Sequence, residues 1–310
     1  MKHVGIDLGG TKTELVVIDA HHQVCWRERL PSARLTTTDP APEELDRAYQ
    51  QTLSIIARLL RDAEQVHPDI CNLPVGIGTP GSESQYATLR NCNSIWLNGR
   101  SFRQDVEYLL QRPVRLANDA NCFALAEATM GAAEGAGSVF GVILGTGVGG
   151  GLIFNGALQT GMNHIAGEWG HNPLPIALPA SHQQRSCYCG RVNCIETFLS
   201  GPGLSRSYFL ATQQSISADR VIEKVQQGDH YARQVWQDYL QQLACSLAQV
   251  INIVDPEVIV LGGGVSNVAM LYEEIPHLWR PHIFSEGVGT RLLKAKLGDS
   301  AGVFGAAWLW

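Results

Sequence analysis

The chain has 310 residues, 45% of them apolar and 17% charged, with a formal net charge of −6. It is long enough for two buried cores, and an acidic balance with no Lys/Arg run argues against nucleic acid or an anionic membrane surface as a partner. Asp7 interrupts the only early apolar run and no stretch approaches a membrane span, so a cytoplasmic protein with its eight cysteines reduced is expected.

The first predicted elements are a strand over residues 3–8, a Gly9-Gly10-Thr11-Lys12 turn and a second strand from Glu14 to Asp19. Glycines let backbone N–H groups approach an anion, Thr11 and Lys12 add donors, and Asp7 can hold a divalent ion. A nucleotide phosphate chain with Mg²⁺ fits such a turn, although an ordinary hairpin also would. Residues 43–66 carry Leu45, Ala48, Tyr49, Leu53, Ile56, Leu59 and Leu60 at helical spacing, with Pro68 beyond the end. A buried strand over 73–78 then runs into Thr79-Pro80-Gly81. Residues 90–99 form a polar loop containing Asn91, Asn93, Trp96 and Asn98, and a short strand over 114–117 leads to a helix from Asn118-Asp119 through Met130.

The second half repeats this plan. Residues 141–154 have the same strand–glycine turn–strand grammar, with Gly145, Thr146 and Gly147 in the turn but Ile143 where the first hairpin has Asp7. Gly145 to Gly150 also satisfies G-x-G-x-x-G, with Glu168 near the spacing of a ribose-binding acid. A dinucleotide fold needs a helix after those glycines, and here a strand is predicted. An insertion over 161–201 is rich in Gly, Pro, His and Cys. A long helix over 231–254 stops at Asp255-Pro256, and its Tyr239, Leu243 and Leu247 suit a core or a homodimer interface. The strand over 258–261 ends in Gly262-Gly263-Gly264, and residues 300–310 form a small apolar helix. This alternation predicts an α/β fold with mixed central sheets, a domain over 1–117 joined by the helix 300–310, and a larger one over 118–299.

Three constellations carry candidate chemistry. Asn118-Asp119, at a strand-to-helix junction, is either a plain helix cap or places an ionised general base at the helix N-terminus. Gly167-Glu168-Trp169-Gly170-His171 is either a polyol-binding loop or a surface loop around a buried Trp169. His171 with Cys187, Cys189 and Cys194 supplies a Cys₃His set suited to a closed structural zinc site, the sulfurs lying in the compact knuckle Cys187-Tyr188-Cys189-Gly190-Arg191-Val192-Asn193-Cys194. Such a knuckle would position Glu196 rigidly. The absence of a Lys/Arg cluster around these loops favours a neutral polyol over an acidic or phosphorylated one.

Together these segments resemble the ROK family of bacterial sugar kinases, of the actin/hexokinase-like, ribonuclease H-like ATPase fold. The resemblance spans essentially the whole chain: residues 7–12, 117–121, 144–147, 167–171, 187–196 and 261–264. Residues 93–99 and 171–175 look closest to the fructokinase branch. The resemblance implies an ATP-dependent kinase acting on D-fructose at its 6-hydroxyl, with N-acetylglucosamine, glucose or mannose as alternative substrates. It further implies Asp119 as base, and Asn93, Asn118, Glu168, His171 and Glu196 as sugar ligands. Mg-ATP would be held by Asp7, Gly9, Gly10, Thr11, Lys12, Gly145, Thr146, Gly147, Gly262, Gly263 and Gly264, and zinc by His171 and the three cysteines. The family commonly dimerises. Its repressors carry an added DNA-binding segment before the first strand, so a regulator is not expected, whereas a non-catalytic sugar sensor is the competing class. The family knuckle usually has glycine where this chain has Asn193, a residue that tolerates positive φ.

Overall fold

The computed structural model describes residues 1–35, 37, 39–178 and 184–310. Part of the predicted 161–201 insertion, residues 179–183, therefore lies outside the described residues. The chain forms two compact units: Met1–Met130 with Leu158–Ala166 and Asp299–Trp310, and Gly131–Ala157 with Gly167–Gly298.

In the first unit, β1 (His3–Leu8) and β2 (Lys12–Ile18) pair antiparallel with Asp7 opposite Glu14. β3 (Val24–Pro31) extends the hairpin on its outer edge. Its interspersed Arg and Glu residues suit a half-exposed edge strand and conceal it in the sequence. α1 (Pro42–Val66) buries Tyr49, Ile56, Leu59 and Leu60 along one face, and the Glu44 carboxylate accepts the Ala41 N–H at its start. β4 (Val75–Thr79), the short pair β5 (Ser82–Glu83) and β6 (Leu89–Arg90), α2 (Phe102–Leu110), β7 (Val114–Asn118) and α3 (Asp119–Met130) follow. The sheet order is β3–β2–β1–β4–β7, with β1, β4 and β7 parallel. Chains of this order bring the carboxyl ends of the parallel strands, where Asp7 and Asn118 lie, to one edge.

The second unit repeats that order. β8 (Ser138–Leu144) and β9 (Val148–Phe154) form its glycine hairpin, followed by the short β10 (Ala157–Gln159), α4 (Glu196–Leu199), α5 (Gly201–Thr212), α6 (Ala218–Gln226) and α7 (His230–Val254). β11 (Val258–Gly262), α8 (Met270–Leu278) and β12 (Arg291–Lys294) complete it. The second sheet runs β10–β9–β8–β11–β12, with Leu158 and Gln159 of β10 counted in the first unit, and β11 lies parallel to both β8 and β12. The strand after Gly147 confirms that these glycines do not open a dinucleotide-binding helix. Tyr239, Leu243 and Leu247 of α7 are buried in this unit's own core with Phe140, Val142 and Trp236. They are core residues, so they give no basis for a homodimer interface.

The chain ends in α9 (Ala301–Ala307), which packs on β1, β4 and α3 of the first unit. The approach is close because the contact residues are small. A Cβ on Gly305 would lie 1.8 Å from the Cys122 carbonyl oxygen, and one on Gly76 1.8 Å from that of Ala306. Clasping α3 in this way draws residues 118–130 into the first unit. The expected boundary at residue 117 is accordingly corrected to Met130, since burial of the apolar α3 outweighs the strand end as a divider. Among the described residues no helix is long and apolar enough to cross a membrane.

Candidate active site

The sequence-predicted residues fall into two groups, one in each unit. In the first, Asn118 closes β7 and its Oδ1 accepts the Asn121 N–H at 2.7 Å, so Asn118 is the helix cap. Asp119 is the first helical residue, its Oδ1 accepting the Ala120 N–H at 2.8 Å. The helix terminus was expected to keep Asp119 firmly ionised. Instead, desolvation by the surrounding protein outweighs these hydrogen bonds and raises its carboxyl above the usual range, yet the residue itself is exposed at the surface of the chain.

Asp7 shares this environment. Burial first, then the charges of Asp119 and Glu14, push its carboxyl up to about 7, against the opposing pull of Lys12. Bare backbone surrounds it: a Cβ on Gly78 would sit 3.2 Å from Asp7 Oδ1, and one on Gly302 3.2 Å from Oδ2. Glu14 itself is buried and held by Arg27 and by Arg29, whose Nε lies 2.9 Å from Oε2. The turn after Asp7 leaves Gly10 and Thr11 exposed, while the Ser32 hydroxyl donates to the Gly9 carbonyl at 2.6 Å and Lys12 opens β2. Asn93 is exposed on a loop that Asn98 closes, accepting the Cys92 N–H at 2.9 Å and donating to its carbonyl at 3.0 Å.

In the second unit the two remaining glycine turns meet. Gly263 adopts φ 85°, and a Cβ there would lie 2.5 Å from the Leu144 carbonyl, beside Gly145, Thr146 and Gly147. Gly262 ends β11, paired with Ile143, and Gly264 begins a 3₁₀ turn. Glu196 starts α4 and lies beneath the β8–β9 turn. Its Oε2 accepts the Val148 N–H at 3.0 Å and would be 2.7 Å from a Cβ on Gly147. Expected only as a sugar ligand, Glu196 thus also braces the glycine hairpin. Spacing could not reveal this, because the residues lie far apart in the chain.

Glu168 precedes the 3₁₀ turn Trp169–His171 and is half-buried. Trp169 is only 4% exposed, donates Nε1–H to the Gly149 carbonyl at 3.0 Å and packs edge-on against Phe140. It supports the hairpin from within, so the surface loop around a buried Trp169 is the alternative that holds for this residue.

The knuckle is compact. Cys187 N–H donates to the Arg191 carbonyl at 2.8 Å, Pro173 bridges Cys194, and Asn193 takes φ 55°. Arg185 ties it to α4 and α5, donating to the Thr197 carbonyl at 2.8 Å and to Ser207 Oγ at 2.9 Å while stacking on Phe198. The ligand atoms of His171, Cys187, Cys189 and Cys194 all lie within 4.8 Å of one another. His171 Nδ1 is 3.5 Å from Cys187 Sγ, and the Cys189 and Cys194 sulfurs are 3.6 Å apart. Those spacings approach the edge, about 3.7 Å, of a tetrahedron with zinc–sulfur bonds of about 2.3 Å, so the donor set fits that ion. Burial raises Cys194 to about 12, helped by hydrogen bonds with Cys189 and Cys187. Burial opposes ionisation of Cys189 too, but hydrogen bonds from Arg191 and the neighbouring thiols bring it down to about 6. The other ring nitrogen of His171, Nε2, is 2.9 Å from the Tyr188 hydroxyl. Both imidazole nitrogens therefore face protein groups, which the sequence assignment of His171 to sugar did not anticipate.

Two sheets of the same strand order, each with a glycine hairpin, and a cysteine-rich knuckle make up an actin/hexokinase-like architecture. The ROK family model matches residues 3–310, and the chain belongs to the ROK family. It is 38% identical over 312 residues to N-acetyl-D-glucosamine kinases of Shigella boydii and Escherichia coli K12, covering 99% of this chain and 98% of theirs. Among solved structures, the ROK hexokinase of Thermus thermophilus has a TM-score of 0.83 at 29% identity, covering 99% of this chain and 97% of that one. The ROK glucokinase of Streptomyces griseus, solved with glucose and AMPPNP, has a TM-score of 0.72 at 26% identity, covering 99% and 98%. These neighbours have the actin/hexokinase-like fold. The curated relatives act on N-acetylglucosamine, so the expected placement in the fructokinase branch is not what these comparisons support.

Proposed function

We propose that this chain is an ATP-dependent sugar kinase whose acceptor is N-acetyl-D-glucosamine. The observation that carries the kinase reading is Asp119, an exposed carboxylate at a strand-to-helix junction beside the capping Asn118, which suits a general base; the acceptor follows the 38% identical N-acetyl-D-glucosamine kinases. Asp119 takes the proton of the attacking sugar hydroxyl as that oxygen bonds to the γ-phosphorus of ATP. The bond to the bridging oxygen breaks, and ADP and the sugar phosphate leave. Alignment supplies most of the catalysis in such a loose transition state.

Asp7, crowded by Asp119 and Glu14, is a strong candidate for a Mg²⁺ contact, since a divalent cation would offset that repulsion. Bound Mg²⁺ would neutralise charge on the phosphates. Gly9 to Lys12, Gly145 to Gly147 and Gly262 to Gly264 offer backbone donors to the nucleotide. Asn93, Asn118, Glu168 and Glu196 bind sugar hydroxyls, and zinc is a structural ion held by Cys187, Cys189, Cys194 and His171 Nδ1. A second reading, D-fructose, is favoured by residues 93–99 and 171–175.

A coupled assay of ADP release over N-acetyl-D-glucosamine, D-fructose, D-glucose and D-mannose decides between them. The highest kcat/KM is expected with N-acetyl-D-glucosamine. Preference for D-fructose would reverse the substrate and keep the kinase, whereas sugar binding without ADP would mark a sensor.

A further inference from the structure

Carboxylates can only accept hydrogen bonds. Glu168 and Glu196 therefore recognise sugar hydroxyls but cannot recognise a sugar oxygen that lacks a hydrogen, such as the ring oxygen or an acetamido carbonyl. His171 would be the obvious donor beside them, yet its Nδ1 faces the Cys187 sulfur and its Nε2 faces the Tyr188 hydroxyl. An imidazole that uses Nδ1 toward a metal carries its proton on Nε2, so Nε2–H donates and the tyrosine oxygen accepts. The phenolic hydrogen is then available to donate elsewhere.

Tyr188 is placed to use it. The residue is 73% exposed although it sits between two knuckle cysteines, and its ring packs edge-on to His171 at 5.0 Å and 87°. Glu168 precedes the 3₁₀ turn that carries His171, and Glu196 follows the clustered Cys194 by two residues, so both belong to the segments that meet at the knuckle. An amphipathic ring held at one end and open along its face is also suited to the C–H face of a sugar. Trp169, the aromatic of the candidate polyol-binding loop itself, is buried against β9 and does not offer such a face.

We propose that Tyr188 is a substrate-contacting, specificity-determining residue. Its hydroxyl, oriented by His171 Nε2, donates to a hydrogen-free oxygen of the acceptor sugar, and its exposed ring flanks that sugar beside Glu168 and Glu196. The inference rests on the sugar-kinase reading above.

The test compares wild type, Tyr188→Phe and Tyr188→Leu as purified zinc-loaded full chains, using N-acetyl-D-glucosamine, D-glucose and D-fructose. Loss of one neutral hydrogen bond should raise the sugar KM of Tyr188→Phe about tenfold, with kcat within about twofold. KM for ATP and the zinc content should not change. Tyr188→Leu, which also loses the ring, should be weaker still. A Tyr188→Phe enzyme with wild-type KM for all three sugars would overturn the inference. So would one that loses zinc and shifts the KM of ATP and sugar together, because Tyr188 would then only support the knuckle. A wild type inactive on every hexose would overturn the kinase reading as well, which separates the two failures.

Discussion

Asp119 and Asp7 are both carboxylates with raised proton affinity, and the consequences differ because their roles differ. A base must be ionised, so kcat/KM should fall as pH drops through the folded pKa of Asp119, which lies above the ordinary 3.8. Asp119→Asn should lose about 10²–10⁴-fold in kcat while still binding sugar. A variant keeping more than a tenth of wild-type kcat would take Asp119 out of the base role. Asp7 bears on stability. Its folded value of about 7 exceeds the unfolded 3.8, so the folded state binds the extra proton between them and stability falls as pH rises through that window. In magnesium-free buffer above pH 7, Asp7→Asn should therefore be more stable than wild type by about 1–3 kcal/mol, allowing for solvent screening, while losing activity with Mg-ATP. Denaturant melts at pH 5 and pH 8 check the sign: the gain should be smaller at pH 5.

At the scale of elements, the knuckle and the 3₁₀ turn Trp169–His171 meet through the four clustered ligands, and α4 begins two residues after Cys194. Zinc would thus fix three segments at once. Removing it with a strong chelator should lower the melting temperature and raise the sugar KM, because Glu196 and Tyr188 leave their places together. Metal analysis should return about one zinc per chain; fully active protein without zinc would reject the structural role. The knuckle was legible in the sequence because its ligands are local and chemically distinctive. The second role of Glu196 was not, since its bond to the Val148 N–H joins residues brought together only by the fold. For the same reason Tyr188 escaped notice: nothing in Cys187-Tyr188-Cys189 says which ring nitrogen of His171 it will meet.

At the scale of the whole chain, α9 ties the last residues to the first strand. Gly305→Ala would force a Cβ to within 1.8 Å of the Cys122 carbonyl and should cost about 3 kcal/mol or more, whereas Gly289→Ala, with no atom near its Cβ, should melt like wild type. Equal melting temperatures for the two variants would show that α9 does not clasp α3 this tightly. The sequence alone determined the α/β class, the repeated hairpins and the family, because hydrophobic periodicity, glycine turns and the Cys₃His set are local patterns written in consecutive residues. It also supplied the chemistry-bearing residues by type. Tertiary structure alone decided that α3 belongs with the first unit, that Trp169 and the apolar face of α7 are core, and that desolvation and facing carboxylates raise the Asp7 carboxyl. Each of those outcomes depends on which atoms from distant parts of the chain surround a side chain, and desolvation and close packing act through that environment, which no spacing along the sequence encodes.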